Sequence, residues 1–344
     1  MSRSPSAGIG PATMPTTPDT IGDPSPILRL DDVVKHFGGR RGRPPVRAVD
    51  GVSLSVGRGQ TVGLVGESGS GKSTLGRLAL RLLEPTTGTV TFDGSDISRL
   101  RRRELARLRC RMQLVFQDPL SSFSPRMTIK EVLTEPMTVH GIGTPKTRLA
   151  RCRELLDLVG LPSHALERYP HQFSGGQAQR IGIARALTTD PDLIVCDEAV
   201  SALDVSVQAQ ILNLLREVQR ELGLSYLFIA HDLNVVRYMS DHISVMYLGQ
   251  VVESGPADAL MDSAMHPYTQ ALVESVPSLD QRGELRAPLV GEIPSPTRPP
   301  AGCRFHTRCP RRFEPCDQAA PELLQIGERS AACHLLTTDE ETRA

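Results

Sequence analysis

A glycine-rich stretch, Gly66 to Ser73, has the spacing of a phosphate-binding loop: a glycine, any four residues, and then Gly-Lys-Ser. Glycines let backbone N–H groups point inward at an anion, and the N-terminus of a following helix adds its positive dipole end. The lysine can reach the terminal phosphates, and the serine hydroxyl can bind Mg²⁺. The pattern therefore predicts a nucleoside triphosphate site that includes Gly66, Glu67, Ser68, Gly69, Ser70, Gly71, Lys72, Ser73 and Thr74.

Four polar residues that follow short apolar runs extend this candidate site. Asp197 is suited to a Mg²⁺ contact, and Glu198 can polarise a water molecule for attack on a phosphate. Gln117 can touch both the metal ion and the attacking water, and His231 can contact the γ-phosphate. Taken alone, Gln117 and His231 are ordinary polar residues. They become candidates for the site only because the other motifs are present in the same chain. We predict Glu198, His231 and Gln117 as catalytic residues and Ser73, Gln117 and Asp197 as Mg²⁺ ligands.

A second group of small residues, Ser174-Gly175-Gly176-Gln177, precedes a predicted helix. A helix N-terminus with small residues is an anion-binding surface, yet the loop at residues 66–73 already provides one. One chain with two half-sites for one polyphosphate suggests that the two halves meet across a dimer.

Short apolar runs alternate with helical patterns, which indicates an α/β fold with a parallel sheet. In such sheets the ligand binds at the carboxyl ends of the strands, where the polar residues above are found. A helix is predicted over Ser73–Leu83, and residues from about 118 to 186 are predicted to form an inserted helical subdomain. Strands are predicted at residues 27–34, 48–56, 61–65, 89–92, 193–196 and 226–230.

The 344 residues carry 39 basic and 39 acidic side chains, so no overall field favours nucleic acid or a lipid surface. No apolar run approaches the roughly 18 residues of a membrane span, which favours a cytosolic chain. Residues 1–24 have too few large apolar groups to fold and are predicted to be a disordered tail. We predict a main domain over residues 25–275 and a separate extension over residues 276–344, where Pro, Arg and Cys become frequent.

Four of the seven cysteines, Cys303, Cys309, Cys316 and Cys333, cluster in this extension with five, six and sixteen residues between them. In a reducing compartment such a cluster favours a metal over disulfides. Four thiolates suit an iron–sulfur cluster or zinc, although the spacing lacks the close pairs typical of structural zinc sites. An iron–sulfur cluster, zinc and metal-free thiols all remain open from the spacing alone.

The motifs in this order resemble those of the nucleotide-binding subunits of ABC transporters, over residues 27 to 275. The resemblance implies a P-loop NTPase with a RecA-like core, an antiparallel β subdomain and an inserted helical subdomain. It also implies that Phe37 stacks on adenine, that Asp204 communicates across a dimer interface, and that ATP and Mg²⁺ are bound. The matching motifs are the phosphate loop, Gln117, the signature Phe173–Gln177, the acids Asp197 and Glu198, Ser201–Asp204 and His231.

A closer resemblance is to the F-type ATPase subunits of oligopeptide and dipeptide permeases. It implies an ATP-hydrolysing subunit of a peptide importer at the cytoplasmic face of the membrane. The partners would be a second ATPase subunit, expected to be a paralogue, two membrane-spanning permease subunits and an extracytoplasmic peptide-binding protein. Some members carry a [4Fe–4S] cluster in the tail, which implies that role for the four cysteines. One departure is Ala199, where the family usually has proline. The carrying stretches are 116–119, 204–210, 245–249, 266–269 and 304–310.

Other functions compete with this one. An arginine-rich stretch over residues 99–111 suggests an alternative function, that of a soluble ABC-type ATPase that acts on nucleic acid or ribosomes. The leucines interleaved with these arginines favour instead the solvated face of a helix. Some members of the peptide group move nickel or another small solute. A plain P-loop kinase gives no role to the signature or to Asp204. We therefore expect no nucleic-acid partner.

Overall fold

The computed structural model describes residues 25–39, 44–275 and 291–337 of the chain. The predicted disordered tail, residues 1–24, lies outside these described residues. Across the described ranges, no helix combines the length and apolar character that a membrane span requires.

A central sheet carries the strands that end at the predicted site. Its spatial order is β11 (Leu324–Ile326), β12 (Arg329–Ala331), β10 (Gln250–Pro256), β9 (His242–Tyr247), β3 (Thr61–Val65), β8 (Ser225–Ile229), β7 (Leu193–Asp197) and β6 (Met112–Val115). The strands from β9 to β6 run parallel to one another. Strands β3, β7 and β8 are buried at every residue, as expected for parallel strands that are covered on both faces.

A second, antiparallel sheet lies beside the first. Its order is β2 (Val46–Val56), β1 (Leu28–Phe37), β4 (Thr87–Phe92) and β5 (Ser95–Asp96). Its apolar residues, such as Leu28 and Phe92, pack with Leu75 and Leu64 in one hydrophobic core. This sheet therefore covers one face of the central sheet together with the helix that follows the phosphate loop.

The helices form the other layer and the inserted subdomain. They are α1 (Lys72–Ala79), α2 (Arg102–Arg109), α3 (Pro119–Ser122), α4 (Ile129–Val139), α5 (Pro145–Leu158), α6 (Gly175–Leu187), α7 (Val205–Leu222), α8 (Leu233–Met239), α9 (Ala257–Asp262) and α10 (Pro267–Glu274), with 3₁₀ turns at Ser163–Glu167 and Pro170–Gln172. A second core joins α4, α5 and α6 to the central sheet through residues such as Leu133, Leu155, Ile183 and Phe228. The predicted combination of a parallel core, an antiparallel sheet and a helical insertion is confirmed.

Helix α1 is shorter than predicted, because it ends at Ala79 and not at Leu83. Arg81 has a positive φ of 51°, which a continuing right-handed helix cannot contain. The buried Arg81 side chain donates a hydrogen bond from Nε to the carbonyl of Ile97 at 2.9 Å. A tertiary contact thus ends the helix inside an apolar pattern that favours its continuation.

The C-terminal extension joins the central sheet directly. Strand β12 pairs antiparallel with β10, where Ala331 lies opposite Glu253. Arg304 of the extension donates hydrogen bonds to the carbonyl of Leu248 and to the carboxylate of Asp50. The extension therefore contacts both sheets near the strand that leads into the phosphate loop.

Candidate nucleotide site

The phosphate loop connects β3 to α1, as the sequence pattern predicts. Gly66 has a φ of 153°, and a Cβ atom there would lie 2.1 Å from the carbonyl oxygen of Met246. Gly71 has a φ of 105°, and a Cβ atom there would lie 2.1 Å from the carbonyl oxygen of Ala48. Only glycine fits these two positions, because the obstacles are backbone atoms and the conformation is left-handed. Neighbouring strands on both sides thus fix the shape of the loop.

The Lys72 ammonium group lies inside the loop. It donates hydrogen bonds to the carbonyls of Gly66 and Glu67 at 2.7 and 2.9 Å. Burial lowers the pKa of Lys72, and the negative charges of Glu198 and Asp197 oppose that shift. A buried cation with neutral acceptors and nearby carboxylates is suited to bind a polyphosphate.

Two of the predicted Mg²⁺ ligands lie together. The hydroxyl of Ser73, in the first turn of α1, donates a hydrogen bond to Oδ1 of Asp197 at 2.7 Å. A hydroxyl and a carboxylate oxygen are the donors that a hard cation prefers, so this pair fits Mg²⁺. The Gln117 amide instead donates a hydrogen bond to the hydroxyl of Ser201 at 3.1 Å. Its role at the metal therefore stays a prediction.

Glu198 and His231 follow adjacent strands, β7 and β8. Oε2 of Glu198 lies 3.8 Å from Nδ1 of His231, and 57% of the His231 side chain is exposed. Glu198 has a φ of 51°, the left-handed region that a residue with a side chain rarely adopts. Such conformations cluster at active sites, where the surrounding structure imposes them. The structure therefore brings together two of the three predicted catalytic residues at one end of the sheet.

The signature Ser174–Gln177 begins α6 with a capping box. The Ser174 hydroxyl accepts a hydrogen bond from the backbone N–H of Gln177, and the Gln177 side chain accepts one from the backbone N–H of Ser174, at 3.4 and 3.1 Å. No hydrogen bond in the described part of the chain links these four residues to residues 66–73. Asp204 caps α7 by accepting a hydrogen bond from the backbone N–H of Val207 at 3.0 Å. Both motifs form hydrogen bonds within their own turns, and the Ser174, Gln177 and Asp204 residues remain exposed to solvent.

Phe37, at the end of β1, lines an open cavity of about 680 Å³. Residues from the C-terminal extension line the same cavity, and the backbone N–H of Arg47 donates a hydrogen bond to the carbonyl of Pro296 at 3.0 Å. The sequence does not predict this contribution, because the proline-rich segment has no periodic pattern. The added lining residues are Ser295, Thr297 and Arg298.

Comparison with known proteins identifies the family. Residues 49–201 match the family model of ABC transporters, and residues 252–316 match the C-terminal region of oligopeptide/dipeptide transporters. The chain is 50% identical over 326 residues to the oligopeptide transport ATP-binding protein AppF of Bacillus subtilis, covering 92% of this chain and 99% of that protein. It is 51% identical over 303 residues to a putative peptide import ATP-binding protein of Brucella ovis, covering 88% and 95%. The chain belongs to the ABC transporter ATP-binding proteins.

Solved structures of ABC cassettes share the fold. One is the ATP-binding cassette MJ0796, described as dimeric in a post-hydrolysis state with ADP and phosphate. It is 31% identical, has a TM-score of 0.61 and covers 67% of this chain and 98% of its own. Another is cbiO1 from Clostridium perfringens, with 26% identity, a TM-score of 0.61 and coverage of 69% and 91%. This ABC subunit is accordingly an ATPase, with ATP and Mg²⁺ as the ligands of its nucleotide site.

The four clustered cysteines of this ABC subunit line one cavity, which His266, His306 and His334 also line. The pKa of Cys303 is raised to about 11, mainly by burial and in smaller part by the charges of Cys333, Cys316 and Cys309. Within residues 25–39, 44–275 and 291–337, however, no group of three His, Cys, Asp or Glu side chains is placed to hold a metal ion. The structure thus gathers the thiols but does not arrange them around one ion.

Glu67 has partners outside the phosphate loop. Its carboxylate accepts hydrogen bonds from the guanidinium group of Arg308, in the C-terminal extension, and its backbone N–H donates to the hydroxyl of Tyr268. The predicted contacts of Glu67 with nucleotide therefore stay a prediction, as do those of the remaining predicted contact residues, Ser68, Gly69, Ser70 and Thr74. Arg308 lies in the stretch 304–310 that resembles peptide permeases, but the sequence does not predict its contact with Glu67, 241 residues away.

Proposed function

We propose that this chain energises an ABC importer for oligopeptides or dipeptides. The observation that carries the proposal is that one chain contains both an ABC nucleotide site and the C-terminal region of oligopeptide/dipeptide transporters. The nucleotide site has the ABC motifs, and the extension matching the oligopeptide/dipeptide transporter region contacts the phosphate loop through Arg308. Relatives named for peptide import match almost the whole chain, so the likeness extends beyond the ATPase domain.

The residues of this chain have distinct roles in hydrolysis. Lys72 binds the terminal phosphates, and Ser73 with Asp197 holds Mg²⁺, which when bound neutralises charge on the transferred phosphoryl group. Glu198 accepts a proton from the attacking water, whose position its carboxylate sets. His231 lies 3.8 Å from that carboxylate and would contact the γ-phosphate. Gln117, whose amide donates a hydrogen bond to the hydroxyl of Ser201, would contact Mg²⁺ and the attacking water.

Two ATPase subunits would face each other head to tail. The signature Ser174–Gln177 has no bond to its own phosphate loop, which supports a role at the nucleotide of a second subunit, expected to be a paralogue. Asp204 lies at the start of the adjoining helix α7 and would communicate across that interface. ATP would favour the closed pair, and hydrolysis would remove that preference.

The remaining partners follow from an importer. Two membrane-spanning permease subunits would receive the movement of the helical subdomain, and an extracytoplasmic peptide-binding protein would deliver the solute. The subunit would then be peripheral at the cytoplasmic face of the membrane. The competing action on nucleic acid or ribosomes is not favoured, because Arg111 of the arginine-rich stretch pairs with Asp93 and Asp192 of its own chain.

The catalytic assignment is tested by replacing Glu198 and Lys72 separately. Glu198→Gln should bind Mg·ATP but lose the base and hydrolyse it at least about a hundredfold more slowly. Lys72→Ala should weaken binding itself, because it removes the buried cation. Binding is measured with a fluorescent ATP analogue and turnover by phosphate release. Normal turnover of Glu198→Gln would remove Glu198 from the mechanism.

The transported solute is tested in cells that lack the chromosomal copy of this chain. Uptake of a labelled oligopeptide should be restored by the wild-type chain but not by Glu198→Gln. Labelled nickel, taken up in the same cells, serves as the alternative solute. Restoration of nickel uptake without peptide uptake would show that this chain serves a nickel importer and not a peptide importer.

We also propose that Cys303, Cys309, Cys316 and Cys333 hold a [4Fe–4S] cluster. Support comes from the shared cavity that the four thiols line. A four-iron cluster binds one thiolate at each iron, so its ligand sulfurs stand further apart than those around a single ion. The raised pKa of Cys303 means that its thiol must lose a proton when the group binds.

Purification without oxygen, followed by iron and acid-labile sulfide assays, tests this assignment. We expect four irons and four sulfides per chain, and their loss in Cys303→Ser. The matched control is Cys110→Ser, because Cys110 lies outside the cavity and its thiol donates a hydrogen bond to the carbonyl of Arg107. Stoichiometric zinc, or no metal in the wild-type chain, would contradict the cluster.

A further inference from the structure

The C-terminal extension contacts the phosphate loop through one ion pair. Nη1 and Nη2 of Arg308 donate hydrogen bonds to the two carboxylate oxygens of Glu67 at 2.7 and 3.0 Å. The Arg308 side chain is only 4% exposed, and that of Glu67 is 23% exposed. Bidentate, charge-assisted bonds of this kind fix direction as well as distance. The pair therefore sets where the second residue of the phosphate loop lies.

Three side chains hold the Glu67 residue. Arg308 binds its carboxylate, the hydroxyl of Tyr268 accepts its backbone N–H at 2.9 Å, and the Lys72 ammonium donates to its carbonyl at 2.9 Å. The tyrosine is fully buried and lies in a ring cluster with Tyr247 and Phe305, at centroid distances of 4.7 and 5.3 Å. Arg308 also stacks over the Tyr247 ring, 5.9 Å from its centroid. These contacts give the pair a rigid support.

The charge of Glu67 matters for the ligand as well as for the loop. The Lys72 ammonium group donates a hydrogen bond to the carbonyl of Glu67 at 2.9 Å, so the charge of this residue lies near the polyphosphate site. A charge that is felt at the phosphate-binding ammonium group is also felt by a polyphosphate bound there. Arg308 neutralises this carboxylate, so the loop keeps an acidic side chain without repelling its anionic ligand.

We propose that Arg308 is a positioning residue for Mg·ATP, which acts by orienting and neutralising Glu67 of the phosphate loop. The C-terminal extension thereby sets the nucleotide affinity of the ATPase domain, although Arg308 itself does not touch the nucleotide. The inference rests on the proposed roles of the phosphate-loop residues. It goes beyond them in assigning part of the affinity to a residue outside the ATPase motifs.

The test compares Arg308→Ala with the double variant Glu67→Gln/Arg308→Ala in the full-length chain. Equilibrium binding of a fluorescent ATP analogue with Mg²⁺ gives Kd, and phosphate release gives KM and kcat. Arg308→Ala should raise Kd and KM about tenfold, within the usual range of coupling between sites. Its kcat should stay within about twofold, because ground-state binding is what is lost. The double variant should recover Kd to within about threefold of the wild type, since the repelling carboxylate is gone.

Two further variants separate positioning from general stability. Arg308→Lys keeps the charge but not the paired hydrogen bonds, so its Kd should be intermediate. The matched control is Arg304→Ala, because Arg304 anchors the same extension to Asp50 and Leu248 without contacting Glu67. Arg304→Ala should lower the thermal midpoint and leave Kd unchanged. Should Arg308→Ala not fold, the test passes to Arg308→Lys, which must weaken binding for the inference to stand.

Three results would overturn the inference: wild-type affinity in Arg308→Ala, no recovery in the double variant, or an equal loss of affinity in Arg304→Ala. Lys72→Ala is measured in the same assay, because it distinguishes failure of the Arg308 proposal from failure of the proposed nucleotide site. If Lys72→Ala binds normally, the site is wrong. If only Arg308→Ala binds normally, the site stands and the role of Arg308 does not.

Discussion

Replacing Gly176 with alanine would test how the signature packs against the helix that follows Asp204. A Cβ atom at Gly176 would lie 2.4 Å from Cγ1 of Val207. Carbon atoms prefer about 3.5–4.0 Å, so one group must move by more than about 1 Å. The β-branched valine has little rotamer freedom in a helix, and overpacking of this kind costs about 1–3 kcal/mol. From the middle of that range, about 2 kcal/mol, alanine recovers up to about 1 kcal/mol of helix propensity, which leaves a net loss of about 1 kcal/mol or more.

The free energy of unfolding, from urea titrations, would be compared for Gly176→Ala, Val207→Ala and the double variant. Val207→Ala removes the obstructing methyl, so the two changes should interact favourably by about 1–2 kcal/mol. The matched control is Gly175→Ala, whose Cβ atom would make an ordinary contact, 3.5 Å from Cδ2 of Leu203. Gly176→Ala as stable as the wild type, or a double variant no better than the sum of the single changes, would refute the packing argument.

The same variants separate packing from function. If Gly176 serves only the contact with Val207, the double variant should regain both stability and ATPase activity. If it also approaches the nucleotide of a second subunit, stability should return while turnover stays low. The second pattern is the one we expect, because the signature has no bond to its own phosphate loop.

Two predictions concern buried side chains. Burial raises the pKa of Cys196 to about 12 and that of Cys152 to about 11, so at pH 8 only about 1 in 10⁴ and 1 in 10³ of these thiols are ionised. Iodoacetamide should therefore leave both unlabelled in the native chain but not in urea, as read by mass spectrometry; labelling of the native chain would show that they are accessible. Tyr226→Phe removes the buried hydrogen bond from the tyrosine hydroxyl to the Leu215 carbonyl, at 3.0 Å, and should lower the free energy of unfolding by about 1 kcal/mol, measured by urea titration. Unchanged stability would mean that water replaces this bond.

The parts of the site that sequence predicted are those set by local order and strand direction. A strand, a glycine-rich loop and a helix follow one another along the chain, so Lys72 and Ser73 needed no tertiary information. Asp197 ends another parallel strand, and the carboxyl ends of such strands meet at one edge of the sheet. The Ser73–Asp197 hydrogen bond follows from that rule, although the two residues are 124 positions apart.

The parts that sequence could not predict depend on single long-range contacts. The Glu67–Arg308 pair spans 241 residues, and neither residue belongs to a periodic pattern that would point to the other. The end of α1 at Ala79 likewise depends on a hydrogen bond from Arg81 to Ile97, a contact that helix propensity does not contain. A cysteine spacing shows that four thiols are near in sequence, but not that His266 lines the same cavity.

The turn at Glu198 shows why the departure at Ala199 need not impair catalysis. A left-handed residue other than glycine costs about 1–2 kcal/mol, so something must hold it. The backbone N–H of Glu198 donates to the Ile229 carbonyl at 2.9 Å, and its carbonyl accepts from the Ser201 N–H and hydroxyl at 3.1 and 3.0 Å. These bonds tie the residue to β8 and to its own turn without any contribution from a proline ring. Ala199 is itself 1% exposed, so packing confines the following peptide as well. The backbone of Glu198, whose carboxylate we propose as catalytic, is therefore held by hydrogen bonds that this sequence retains.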